Sequence, residues 1–174
     1  PEVIRVEPDV HRDERGFFLE SYQREKYAAG GIDVAFVQDN HSKSARGTLR
    51  GLHAQLEHAQ GKLVRVVEGE VFDVAVDIRR GSPTFGRWVG ERLSADNFAQ
   101  LWVPPGFGHG FYVLSERAEF VYKCTDYYFR EHERVICYDD PDIGIRWPLA
   151  SGVETVLSDK DLCGVPLARA VLYD

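Results

Sequence analysis

At 174 residues the chain is long enough to bury one full core and too short for two comfortable ones, so one domain spanning 1–174 is expected. Its formal charge of -7 excludes nucleic acid and anionic membrane surfaces as expected partners, because both polyanions would meet a repelling field; any anion it binds must find a local basic cluster. Cys124, Cys137 and Cys163 form no C-x-x-C pair and no apolar run approaches the roughly 20 residues of a membrane span, so a soluble cytoplasmic protein without a disulfide framework or zinc knuckle is expected.

In chain order, "GFFLESY" (16–22) reads as a short strand and "YQREKYAAG" (22–30) as a helix stopped by its glycine pair. β-Rich runs follow at "VAFVQDN" (34–40), "GTLRGLHAQ" (47–55) and "KLVRVVEG" (62–69), then the clearest alternation, "EVFDVAVDI" (70–78). There Phe72, Val74, Val76 and Ile78 alternate with Val71, Asp73, Ala75 and Asp77, which predicts a strand with one dry face. Further strands are expected at "GRWVGERL" (86–93), "QLWVPPG" (100–106), "HGFYVLS" (109–115), "AEFVYKCTDYY" (118–128) and "RVICYDD" (134–140), with a small helix near "SDKDL" (158–162). Turn-forming clusters separate the runs at hairpin distances, and so many short strands with so little helix predict an all-β fold, an antiparallel jelly-roll barrel with a few short helices.

"RGLHAQLEHAQGKLV" (50–64) concentrates chemistry in what otherwise reads as barrel strand. One reading is a metal box, since "PPGFGH" (104–109) matches the P-x-G-x-x-H half of the cupin signature. The other half should supply H-x-H, but the stretch reads His53-Ala54-Gln55, and an amide is a poor ligand for metals that favour imidazole, thiolate or carboxylate, so no metal is expected. The second reading is acid/base chemistry. Strand parity puts His53 and Gln55 on one face, and Lys62 shares a face with Val64 and Val66. Imidazole accepts and returns protons near neutral pH and an ammonium stabilises an enolate oxygen, which suits proton abstraction beside a carbonyl. Inversion at carbon also needs a donor on the opposite side; Tyr122, Cys124, Asp126 and Tyr128 share one face, and parity does not choose between the two tyrosines.

In order along the chain, "DERGFFLESY", "FVQDNHSKS", "LRGLHAQ", "AQGKLVRVVEGEVFDVAVDIR", "SPTFGRWVGERLS", "LWVPPGFGHGF", "AEFVYKCTDYY", "DDPDIGIRWP" and "LSDKD" resemble the dTDP-4-dehydrorhamnose 3,5-epimerases. The resemblance implies a homodimeric jelly roll, free of metal and cofactor, with substrate sites near the subunit boundary. Its substrate would be the sugar nucleotide dTDP-4-dehydro-6-deoxy-D-glucose, inverted at C3 and C5 through enolates to give dTDP-4-dehydro-L-rhamnose. It assigns His53 as general base, Tyr122 as proton donor, Lys62 as enolate partner and Asp161 as the carboxylate orienting the base. Arg15, Glu20, Gln38, Asp39, Asn40, Arg50, Lys62, His109, Glu133 and Lys160 match its substrate contacts, with Arg50 the natural diphosphate clamp.

Simple alternation turns Arg50 away from His53, so either Gly51 hosts a bulge or Arg50 serves a site shared across the subunit boundary. Two letters depart from the family's expected pattern: Ala54 stands where an aromatic is expected, opening space beside the base, and Gly108 stands for alanine. The motifs are shared with epimerases that invert only C3 or only C5, so they do not fix the number of inversions. His58 has no assigned role.

Overall fold

The computed structural model describes residues 2–173. Its strands run in chain order as β1 (Ile4–Val6), β2 (Val10–Asp13), β3 (Gly16–Leu19), β4 (Gln38–Ala45), β5 (Leu49–Gln55), β6 (Lys62–Glu68), β7 (Glu70–Asp77), β8 (Trp88–Ser94), β9 (Gln100–Val103), β10 (Phe107–Val113), β11 (Arg117–Cys124) and β12 (Glu133–Val135). Helices α1 (Arg24–Ala29) and α2 (Asp159–Leu162) are short. The strands pair antiparallel into two five-stranded sheets, ordered β1-β9-β6-β11-β4 and β12-β5-β10-β7-β8, with β2 and β3 forming a separate hairpin. This is the expected jelly roll. Among the described residues no helix is long and apolar enough to cross a membrane.

Alternating side chains from both sheets meet in an interior core that includes Val64, Val66, Val71, Ala75, Leu101, Phe111 and Phe120. The expectation of a single dry face on β7 is corrected here. Val74, Val76 and Ile78 leave the interior on the outer side and are covered by Ile136, Ile143, Leu167, Ala170 and Leu172 from the C-terminal segment. Asp73 and Asp77 share the inner face with Val71 and Ala75 and are buried too, although a half-exposed strand would leave its acids in water. The other sheet is covered around Leu63 and Trp102 by Tyr27 and Ile32, with Tyr22 and Phe36 packed beside them.

Caps set both helices. The Gln23 side chain accepts from Lys26 N at 2.6 Å, and the Gly30 N–H donates to Lys26 O, closing α1 where the glycine pair predicts. At α2 the Ser158 hydroxyl accepts from Asp161 N at 3.2 Å, fixing the first turn around a buried aspartate. Expected and observed strands differ in extent: "GFFLESY" stops at Leu19, "QLWVPPG" at Val103 and "RVICYDD" at Val135, and the strand expected over 34–40 begins only at Gln38 and runs to Ala45. β11 ends at Cys124, so the parity argument does not extend to Asp126 and Tyr128.

Candidate active site

Gly51 resolves the awkward geometry of the RGLH segment. On the β5–β10 ladder His109 lies opposite His53 while Phe111 lies opposite Arg50, so three steps along β5 match two along β10. The extra residue is a bulge, and it swings Arg50 onto the cavity side with His53. Only glycine fits there: φ is +134°, and a Cβ at Gly51 would sit 2.6 Å from Gly110 Cα and 2.9 Å from His109 O.

A cavity of about 340 Å³ opens between the sheets. Arg50, His53, Gln55, His109 and Glu133 enter from one sheet; Gln38, Asn40, Ser42, Lys62 and Tyr122 enter from the other. Phe111 and Phe120, stacked at 4.3 Å, give it an apolar wall, while Tyr128 and Lys160 border it from outside the strands. His53 and Tyr122 therefore approach any occupant from opposite sheets.

Behind His53 stands Asp161, whose side chain is 3% exposed; its Oδ1 meets His53 Nε2 at 2.5 Å, and Ser158 Oγ donates to Oδ2 at 2.6 Å. Burial alone would raise the Asp161 carboxyl, but the bonds from His53, Ser158 and the Gly51 N–H outweigh it and hold the group at about 2. Burial pulls His53 below its ordinary 6.5 even though Asp161 pushes the other way, so the imidazole is a neutral acceptor at neutral pH. Lys62 is also pulled down by burial; its ammonium feels Cys124, Glu133 and Asp73 through space, without a hydrogen bond among the described residues. Burial drives Tyr122 up to about 12, which keeps its phenol protonated.

Asp161→Asn tests the dyad directly. Losing the charge that pushes His53 upward is expected to move the His53 midpoint still further below 6.5, read from the ring resonances by NMR. The stability linked to Asp161 has its own sign: with a folded value of about 2 against 3.8 unperturbed, it is present above pH ~4 and lost as pH falls toward 2. Thermal melts of the variant should lack that contribution. An unmoved His53 midpoint would remove Asp161 from its supporting role.

The other residues expected at a site divide into two groups. Arg50, whose Nε donates to Ser44 Oγ at 3.0 Å, keeps its terminal nitrogens for a ligand. His109 Nε2 lies 2.9 Å from both Asp73 oxygens, and Glu133 accepts from Lys160 Nζ at 2.8 Å and from the Tyr128 hydroxyl at 3.2 Å. Gln38 and Asn40 also line the cavity. Arg15, Glu20 and Asp39 do not. Arg15, 85% exposed in the β2–β3 turn, pairs with Asp13; Glu20 pairs with Lys26; Asp39 turns to the outer face and meets Lys123 at 3.0 Å. β-Strand alternation explains Asp39, since Gln38 and Asn40 on either side point inward.

Ala54 is corrected as well. It packs in the outer cluster with Leu52 and Ile136 while bordering the cavity, and alternation turns its Cβ away from His53. Room left by the missing aromatic ring therefore lies on the outer side, where Tyr173 packs and donates its hydroxyl to Gln55 O. His58 turns out to pair with Asp126 at 3.2 Å and lies against Phe129, with ring centres 4.5 Å apart. Sequence reasoning missed Asp73, although an acid inside so apolar a run as "EVFDVAV" was its signal, and Ser158, whose S-x-x-D spacing to Asp161 marks a helix cap; Ser42 carries no such signal.

Residues 1–169 match the family described as dTDP-4-dehydrorhamnose 3,5-epimerase. The chain is 62% identical over 171 residues to the dTDP-4-dehydrorhamnose 3,5-epimerase of Pseudomonas aeruginosa, covering 98% of this chain and 93% of that one. It superposes with a TM-score of 0.95 and 55% identity on the crystal structure of dTDP-6-deoxy-D-glucose-3,5-epimerase from Legionella pneumophila in complex with dTDP-4-keto-L-rhamnose, covering 98% and 90% of the two chains. A 3'-monoepimerase from Streptomyces bikiniensis in complex with dTDP-quinovose shares the fold at TM-score 0.88 and 37% identity, over 96% of this chain and 84% of that one.

Proposed function

The chain belongs to the dTDP-4-dehydrorhamnose 3,5-epimerase family, and we propose that it inverts C3 and C5 of dTDP-4-dehydro-6-deoxy-D-glucose by proton transfer alone, giving dTDP-4-dehydro-L-rhamnose. The observation that carries this reading is the opposition of a neutral, Asp161-backed His53 and a protonated Tyr122 across one cavity, with the unpaired Lys62 ammonium beside them.

C3 and C5 both flank the C4 ketone, so their hydrogens are acidified by the same carbonyl. His53 takes the proton; the C–H electron pair moves into the ring and the carbonyl oxygen becomes an enolate, which Lys62 neutralises. Tyr122 returns a proton to the other face of the carbon. The imidazolium formed is held by Asp161, and exchange with solvent resets both groups. No electrons leave the substrate, so the chemistry asks for no redox cofactor. Arg50 takes the diphosphate through its free terminal nitrogens, and Gln38, Asn40, His109, Glu133 and Lys160 contribute polar contacts along the cavity.

Incubation with the 4-keto sugar nucleotide in D₂O, followed by NMR, tests the reading. Deuterium at both C3 and C5 with inversion is the expected result. Entry at one position alone would favour the narrower epimerase class that the Streptomyces bikiniensis relative represents, and no entry would sink the assignment.

The working unit in this proposal is a cytoplasmic homodimer. Among the described residues the β2–β3 hairpin joins neither large sheet, and its β3 arm carries Phe17, edge-on to Phe98, and Phe18 at 58% and 70% exposure, apolar surface costly to leave in water. Arg15 lies in that hairpin and Glu20 directly after it, both outside their own cavity, which supports a hairpin reaching toward the partner's site. Phe18→Asp is accordingly expected to shift the sedimentation coefficient to that of a monomer and to weaken substrate binding at least about tenfold. A variant that stays dimeric with unchanged affinity would count against the hairpin's part. The three free cysteines, Cys124, Cys137 and Cys163, fit a reducing compartment.

A further inference from the structure

Gln55 occupies the position at which an H-x-H motif would carry its second imidazole, and its amide is fully engaged elsewhere. The side chain is buried, 5% exposed. Its Nε2 donates to His58 O at 2.5 Å and to Tyr127 O at 2.9 Å, while its Oε1 accepts from Phe129 N at 2.7 Å. Two carbonyls and one N–H allow the amide only one orientation. The bonds fall on two different segments, the turn after β5 and the stretch after β11, and on the second they bracket Tyr128 from both sides.

Tyr128 itself lies in no strand or helix. Its own N–H donates to Gln38 Oε1 at 3.1 Å, and its hydroxyl donates to Glu133 Oε2 at 3.2 Å, with Glu133 in turn gripping Lys160. Gln38, Tyr128, Glu133 and Lys160 all border the cavity. The peptide groups flanking Tyr128 depend on Gln55, and the ring's direction depends on those peptide groups.

We infer that Gln55 is a positioning residue, whose amide replaces a metal ligand by a clamp that fixes Tyr128, and through it the Glu133–Lys160 pair, for binding the nucleotide portion of the substrate. The inference rests on the epimerase reading for the identity of that substrate. It assigns Gln55 to binding and leaves proton transfer to His53, Lys62 and Tyr122. Burying an amide with three partners is costly to disturb, because each orphaned carbonyl loses a hydrogen bond without regaining water.

Gln55→Glu keeps the shape and the acceptor but turns an oxygen toward two carbonyls. With dTDP as the probe in calorimetry, its Kd at pH 8 is expected to rise about tenfold over wild type. A buried carboxyl facing carbonyls protonates readily, and the acid regains one donor, so the ratio to wild type should shrink below about threefold at pH 5.5. In steady-state assays KM should rise far more than kcat falls. In a Tyr128→Ala background, Gln55→Glu should add less than about twofold to the dTDP Kd.

A Kd ratio independent of pH, losses that multiply with Tyr128→Ala, or a fall in kcat matching the rise in KM would each overturn the inference. If Gln55→Glu does not fold, Gln55→Met, with similar length and no donor, carries the binding and double-variant arms. Absence of deuterium exchange by the wild-type protein would defeat the epimerase reading, and the dTDP-binding arms would still decide the role of Gln55.

Discussion

In a His53→Ala variant, deuterium incorporation at C3 and C5 of the 4-keto sugar nucleotide is expected to fall by at least about 10³-fold, with dTDP affinity held within about threefold of wild type. The reason is positional. Both cavity imidazoles are braced by a buried carboxylate, His53 by Asp161 and His109 by Asp73, but the His53 side chain keeps 24% of its surface accessible against 8% for His109, so His53 is the one open to an occupant. In the proposed reading nucleotide affinity rests instead on Arg50 and the groups around Tyr128, which border the same cavity.

The pH profile follows from the same geometry. Because burial depresses His53, the base is lost only as pH falls through a value below 6.5, and the acid limb of kcat/KM in the wild type belongs in that range. At the other end burial depresses Lys62, so the enolate partner loses its charge as pH rises through a value below 10.5, before Tyr122 at about 12 ionises. The basic limb therefore reports Lys62. Exchange in His53→Ala at wild-type rates would refute the base assignment outright.

Much of this site was legible in the sequence because its members sit on strands, where a period of two fixes which side chains share a face. His53, Lys62 and Tyr122 come from three strands, and parity grouped His53 with Gln55 and Lys62 with Val64 and Val66 on the faces that turn out to be interior, while the choice of Tyr122 over Tyr128 came from the family resemblance. What parity did not reach was everything at an irregularity. The bulge at Gly51 could be suspected only because Arg50 and His53 disagreed in phase, and β11 stops before Tyr128, whose orientation is set by hydrogen bonds from Gln55 and Gln38.

Long-range pairs were the other blind spot. Asp161 lies 108 residues from His53 and meets it only because a capped turn of helix is delivered to the back of β5, a fact no local pattern encodes. The resemblance to a family supplied that pairing; the physics of the segment did not. β7 failed differently. Its alternation was real, but the face expected to be dry packs under the C-terminal segment while the acid-bearing face, with Val71 and Ala75, turns into the barrel interior, so a pattern that suggested one wet side became two dry ones. Arg15 and Glu20 mark a further limit, since they lie on and just after a hairpin that pairs with neither five-stranded sheet, and no strand register ties them to the cavity.

Tyr122→Phe separates two events that His53→Ala removes together. Without the phenol, His53 can still take the proton and Lys62 can still hold the enolate, but no acid waits on the opposite sheet. The proton bound to His53 exchanges with solvent and returns to the face it left, so deuterium should enter with retention. Inversion is expected to drop about 10²–10⁴-fold, the usual worth of a positioned general acid, while exchange drops only about tenfold. NMR distinguishes the outcomes, because the C5 epimers are diastereomers whose methyl and anomeric protons resonate at different positions, and loss of the methyl splitting marks the label in either. Tyr128 offers the built-in control: the residue is half-exposed and its hydroxyl is spent on Glu133, so Tyr128→Phe should weaken binding and leave inversion coupled to exchange. If inversion survived Tyr122→Phe and failed in Tyr128→Phe, the donor would be Tyr128, and the opposition of His53 and Tyr122 across the cavity would no longer carry the mechanism.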